Sequence, residues 1–217
     1  MTKAGFPSRQ PEGGRGAVGL PSRFLGRILD VMRHKFGDPR NIFRAELKDL
    51  VWKPDKETSM LLVVPGFEAA PGSDEANVLP RVVVNLGEYR KIPGLSPIVD
   101  DDGITLGGGS DDGYLGRTRH HASFQGSATI TAASRSGMEA LAIAEDVLLT
   151  MLTLKAEIRD SMCLEYLDVA SLQGPSKNEG PPSCFIAGVQ LGWAASVVWD
   201  IVPDGLPLAD ISHPATN

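Results

Sequence analysis

The residues that invite a chemical reading are concentrated between Asp100 and His121. Asp100, Asp101, Asp102, Asp111 and Asp112 place five carboxylates in thirteen residues with no Lys or Arg among them, and Gly103, Gly107, Gly108 and Gly109 lie between. Such a density of hard oxygen donors suits Ca²⁺, which takes about six to eight oxygens. The order does not fit an EF-hand, because Ile98 and Val99 fall where ligands are required. A repeat-type site would need further copies, and the chain shows no repeat at a fixed period. The stretch therefore reads as a solvated acidic loop without a metal.

Arg117, Arg119, His120 and His121 follow as a small basic cluster at the entrance to a strand. Adjacent strand residues face opposite sides, so the two imidazoles do not chelate one ion, and a polar or subunit-contact role is expected instead. Trp193 and Trp199 are six residues apart and share a side of an unbroken strand. Core packing is the ordinary role of such a pair, and anchoring a subunit contact is the alternative.

A catalytic reading finds little to hold. No phosphate-binding glycine loop or dinucleotide fingerprint occurs. The nearest approach to a nucleophile elbow, Gly108 to Asp112, lacks the final Gly and the strand-to-helix setting. His121, Asp168 and Cys163 are reactive types without mechanistic spacing. Cys163 and Cys184 are too few for a disulfide framework and read as two buried thiols on strands. No cofactor is expected.

The elements that would position these residues follow from hydrophobic periodicity. Residues 1–20 are rich in Gly and Pro and read as a flexible arm. Phe24, Ile28, Val31 and Met32 recur at helical spacing, with Ser22 as candidate N-cap and Gly37 to Pro39 as the stop. Residues 41–52 form either a short helix or an extended strand. Ser59 to Val64 reads as a strand buried on both faces, and Pro80 to Tyr89 as a β-branched strand. A long loop, 93–119, leads to strand Ala122 to Ala132. Ser134 or Ser136 then caps the longest helix, with Glu139 placed for a capping box. Its apolar residues include Met138, Leu141, Val147, Met151, Leu152 and Ile158. Strands over Met162 to Leu172 and Ser183 to Ile201 complete a single domain, 21–203, and 204–217 form an extended tail.

Composition sets the outer limits. Hydrophobic residues at 42% and charged residues at 22% are those of a globular domain, and the net charge of -6 argues against a general DNA binder. No segment has the run of about 18 uncharged apolar residues that a membrane span needs, and no secretory signal is expected.

This order of elements resembles the tail terminator (tail completion or neck) proteins of long-tailed bacteriophages. The likeness is carried by the opening helix Phe24 to Phe36, strand Arg81 to Tyr89 and its extended loop. Strand Ala122 to Ala132 running into helix Met138 to Ile158, the run Leu164 to Val169, and the aromatic strand ending at Asp200 carry the rest. It covers about residues 21–203, and the acidic loop and N-terminal arm are additions to the pattern. The resemblance implies an α+β fold, a mixed, mostly antiparallel β-sheet packed on one side by two α-helices, with a long loop or hairpin extension. It also implies a non-enzymatic virion subunit assembled in the host cytoplasm. It implies a homohexameric ring at the head-proximal end of the tail, which ends tube polymerisation and joins tail to head connector. Tail tube protein and connector would be its partners, and genomic DNA would pass through the lumen without specific binding. Arg117, Arg119, His120, His121, Trp193 and Trp199 are then subunit-interface candidates. The five Asp residues would line the lumen or touch a neighbour. Another neck or tube subunit, a small enzyme and a cellular binding module are the alternatives.

Overall fold

The computed structural model describes residues 21–69, 78–92, 104–106, 117–179 and 182–201. The N-terminal arm, the C-terminal tail and all five candidate Asp residues lie outside them. Helix α1 spans Pro21–Gly37. Proline is its first helical residue, where the missing N–H costs nothing, so Ser22 sits inside the first turn and not at the cap. Residues 41–52 become neither helix nor strand. A 3-10 turn, Pro39–Asn41, leads into them, capped by the Asp38 carboxylate accepting from the Arg40 N–H, and a second, Ala45–Leu47, lies within them.

Six strands form one sheet: β1 (Leu62–Pro65), β2 (Arg81–Lys91), β3 (Ile104–Leu106), β4 (Arg117–Ser134), β5 (Tyr166–Asn178) and β6 (Cys184–Ile201). The order is β1-β2-β4-β6-β5, with β3 paired to β4 off that path. Only β1 and β2 run parallel; every other pairing is antiparallel. Helix α2 (Gly137–Ser161) packs on β4, β5 and β6, and α1 on β1 and β2. The α+β class expected from the sequence is the one observed.

One core unites the helices with a single face of the sheet, since Phe24, Ile28 and Met32 of α1 join Ile143, Val147 and Met151 of α2 over Val82, Ile130 and Leu191. Its centre is a column of stacked rings. Phe24 lies 4.7 Å from Trp193, Trp193 lies 5.2 Å from Tyr89, and Tyr89 lies 4.9 Å from Phe124. The indole sits over Gly126, its register partner on β4, where an added Cβ would come within 2.5 Å of the ring. Trp193 is 2% exposed and belongs to the core, so it is not available as a contact anchor.

Other differences from expectation have local causes. Ser136 caps α2, accepting from the Glu139 N–H at 3.5 Å, but the reciprocal half of the box is relayed. The Glu139 carboxylate accepts from the Ser134 hydroxyl, which in turn accepts from the Ser136 N–H at 3.2 Å. Met138 and Leu152 face solvent at 75% and 47% exposure, because only one side of α2 meets the sheet. Strand β5 starts at Tyr166 and runs through Gly174 and Pro175, which the sequence suggested would end it. A register shift between Gln173 and Ser176 on this edge strand accommodates the proline.

The segment before β5 is a helix stop. Leu164 N–H bonds to the Arg159 carbonyl at 2.9 Å, and Cys163 N–H to that of Asp160 at 3.2 Å, the paired bonds of a Schellman turn. Cys163 holds the left-handed position with φ 50, and it is exposed rather than on a strand; Cys184 is buried. A side chain there costs roughly 1 kcal/mol that glycine avoids. Cys163→Gly is expected to raise the thermal midpoint by about 2–4 °C in a calorimetric scan. Gly126→Ala is expected to lower stability by about 1–3 kcal/mol in urea unfolding, since the Trp193 ring must move.

Candidate functional site

Helix α1 crosses α2 antiparallel, for Arg27 faces Glu157 at 3.7 Å while Lys35 faces Asp146 at 3.1 Å. Between them the helices leave a cleft of about 610 Å³, walled by Arg27 and His34 on one side, Thr153 and Glu157 on the other, and closed at one end by Arg40 and Phe43. Val31 and Leu154 supply apolar lining.

The Lys35–Asp146 pair fixes this cleft. Lys35 is 4% exposed and Asp146 fully buried. An ammonium carries three donors, and each has an acceptor. One meets Asp146, one the Asn41 carbonyl, and the third the Phe43 ring, whose centroid is 3.4 Å away. Burial pushes the Lys35 pKa down, and the hydrogen bond and charge of Asp146 oppose that shift without cancelling it. Asp146 Oδ1 accepts from the Phe43 N–H at 3.0 Å. Apart from its contact with the ammonium, Oδ2 has no hydrogen-bond donor among the described residues. Thr150 adds a hydroxyl bond to the Asp146 carbonyl at 2.8 Å. The connector after α1 is thereby pinned to both helices, and Phe43 is held at the cleft rim with 57% of its surface exposed.

With its donors engaged, Lys35 is a positioning group. The arginines that line the cleft are Arg27 and Arg40, with His34 beside them. Arg40 spends Nε and Nη2 on Asp38, leaving Nη1. Arg27 has a buried Nε without a partner and only the long contact to Glu157. With Asp30 and Glu157 also in its lining, the cleft carries charges of both signs, several of them already paired.

Among the described residues no helix packs on the opposite face of the sheet. Gln125, Ser127, Thr129 and Thr131 of β4 lie beside Gly188, Gln190, Gly192 and Ala194 of β6, a small and polar surface. Tyr166 stands out from it at 52% exposure, beside a depression of about 240 Å³ that Glu88 and Arg90 also line.

The sequence-derived candidates map unevenly. Arg117, Arg119, His120 and His121 lie at the start of β4, where Arg117 pairs with Leu106 of β3 and Arg119, His120 and His121 pair with β6, His120 opposite Trp199. Strand β3 pairs Ile104 with Arg119 there, so β4 begins inside the span expected as loop. His121, Asp168 and Cys163 are not brought together. Asp168 stands opposite Gly192, which pairs with Ser127, six residues along β4 from His121, or about 20 Å. Lys155 holds Asp168 at 3.0 Å, and that bond lowers its pKa below the usual carboxylate value. Cys163 is at the α2 stop.

Lys35 and Asp146 were not singled out by sequence reading, yet a signal was present. Asp146 interrupts an apolar helical face between Ile143 and Thr150, and Lys35 sits beside Phe36 on the face of Ile28 and Met32. Opposite charges on two buried faces imply each other. No protein-family model matches the chain, and no curated protein matches it.

Removing one partner leaves the other charge buried and alone. Asp146→Ala is expected to cost about 3–5 kcal/mol in denaturant unfolding, while Lys35→Met combined with Asp146→Leu should recover most of that loss. Equal losses in the single and double variants would show that the pair is not the stabilising contact.

Proposed function

We propose that this chain is a ring-forming structural subunit of a long-tailed phage tail, of the tail-terminator kind, working by assembly and not by catalysis. The observation that carries the reading is the β4–β6 ladder. It pairs without a break from Ser134↔Phe185 to Thr118↔Ile201. An 18-residue strand reaches about 60 Å, well beyond what two helices cover. A β-ladder longer than the helices beside it, with β3 added at its end, is an arm against which another body can lie.

The surfaces left open support the same reading. Met138, Leu149 and Leu152 form an exposed apolar stripe on α2, and Phe43 and Phe67 are exposed as well. A closed ring needs two different patches on each subunit, and the arm and the helical layer are two such patches. On this reading the ring, of about six copies as the family resemblance implies, seats on the last tube ring, stops its growth and offers its other side to the head connector.

Mass photometry with negative-stain imaging of the purified full chain tests this. Closed rings of one size are the expected result. Long tubes would assign the chain to the tube instead, and monomers that persist at high concentration and beside tail tubes would remove the assembly reading.

A further inference from the structure

Helix α2 is apolar on both sides. Its inner residues Ile143, Val147, Met151 and Ile158 fill the core. Its outer side carries a second set, Met138, Leu141, Leu148, Leu149, Leu152 and Ala156, none of them buried. A helix that is apolar all round is ordinarily a buried helix, because water against its outer leucines opposes leaving them exposed. Among the described residues α1 is the other long helix, and it lies against a flank of α2, where Arg27 reaches Glu157 and Lys35 reaches Asp146.

The outer residues are ordered. Glu145, Leu152 and Arg159 recur at a spacing of seven, at which one helix lays a nearly straight seam along another. Leu141, Leu148, Leu149 and Ala156 flank that line at offsets of three and four. The seam also carries opposite charges at equal distances from its middle. Glu145 lies one heptad before Leu152 and Arg159 one heptad after it, about 10 Å each way. Turned end for end, this pattern is its own complement.

We propose that the outer side of α2 packs antiparallel on α2 of a second copy, about a two-fold axis at Leu152. Leu152 then meets its own equivalent, Leu148 of each copy meets Ala156 of the other, and Glu145 of each meets Arg159 of the other. Both charged groups have capacity for this. Arg44 takes Oε2 of Glu145, and Oε1 has no partner among the described residues. Arg159 reaches its neighbour Asp160 through Nε and Nη2, an exposed pair of little worth that leaves Nη1. With α2 ending at Ser161, the two helices overlap over residues 143 to 161, about 28 Å. One helix on another over that length buries less than the roughly 800 Å² per partner of a standard interface, so the expected pair is reversible and concentration-dependent. The contact goes beyond the ring reading and does not rest on it. It leaves β3 and the β4–β6 ladder free, so it joins two rings where rings form and two single chains where they do not.

The test uses the full chain with Cys163→Gly, whose remaining thiol, Cys184, is buried. Leu152→Cys or Met138→Cys is introduced into this background and oxidised mildly over a series of protein concentrations. A disulfide needs Cα atoms about 4.4–6.8 Å apart, which a residue on the axis meets and one two heptads away does not. Leu152→Cys is expected to give a cross-linked dimer and Met138→Cys is not, although Met138 is the more exposed. Sedimentation of chains without new cysteines reads the pair directly. Arg159→Glu should weaken it roughly fivefold or more, as should Glu145→Arg, and the two together should restore it because opposite charges face each other again. A thermal melt of each variant confirms the fold. No cross-link at Leu152 and no concentration-dependent pairing would overturn the contact, with or without rings, so the ring reading stands or falls separately. Equal cross-linking at Met138, or a combined variant no better than the single ones, would overturn it as well. Pairs that cross-link at Leu152 in a chain that never forms rings would support the contact and remove the ring.

Discussion

A charge buried between two helices must be met by its opposite, and the Lys35–Asp146 contact at 3.1 Å is where this fold meets that demand. Taking two ions out of water costs several kcal/mol each, and their attraction alone does not guarantee a return. Here the cost is offset by further partners. The ammonium reaches the Asn41 carbonyl and the Phe43 ring, and the carboxylate takes the Phe43 N–H. The same few atoms therefore fix the angle between α1 and α2, the path of the connector and the depth of the cleft. Hydrophobic packing could hold both helices on the sheet, but it would not set their separation, because apolar contact has no direction.

The sheet obeys a second constraint, that of fitting large rings between paired strands. The column from Phe24 through Trp193 and Tyr89 to Phe124 crosses α1, β6, β2 and β4. It is admitted by the absence of a side chain at Gly126. This ties the start of α1 to Trp193 on β6, while the helix packs on β1 and β2. Helix α2, too narrow in its contact to bury all its leucines, leaves Leu149 and Leu152 in the open.

Much of this was legible along the chain. Helix α1, the strand around Val82 to Leu86, the Ser136 cap and the division of one sheet face from the other follow from spacing alone, since a period near 3.6 or 2 is a local property. Misreadings arose where a residue played a part usually taken by another. Cys163 stands where glycine commonly ends a helix, so the stop was hidden and β5 was started early. Pro175 suggested an end to β5, but an edge strand with a bulge has no need of that N–H. Trp193, a candidate for contact by its type, is buried by its register.

The sequence by itself determined the α+β class, the order of the elements and the separation of acidic from basic segments, because these depend on composition and near-neighbour spacing. It also contained both halves of the buried pair, Lys35 and Asp146, without saying that they meet. Tertiary structure alone decided that, along with the pairing of Trp193 over Gly126 and the unbroken pairing of β4 with β6. Each depends on contacts between residues from 51 to 111 positions apart. No local pattern encodes such contacts, since they are set by how the helices and strands share one core.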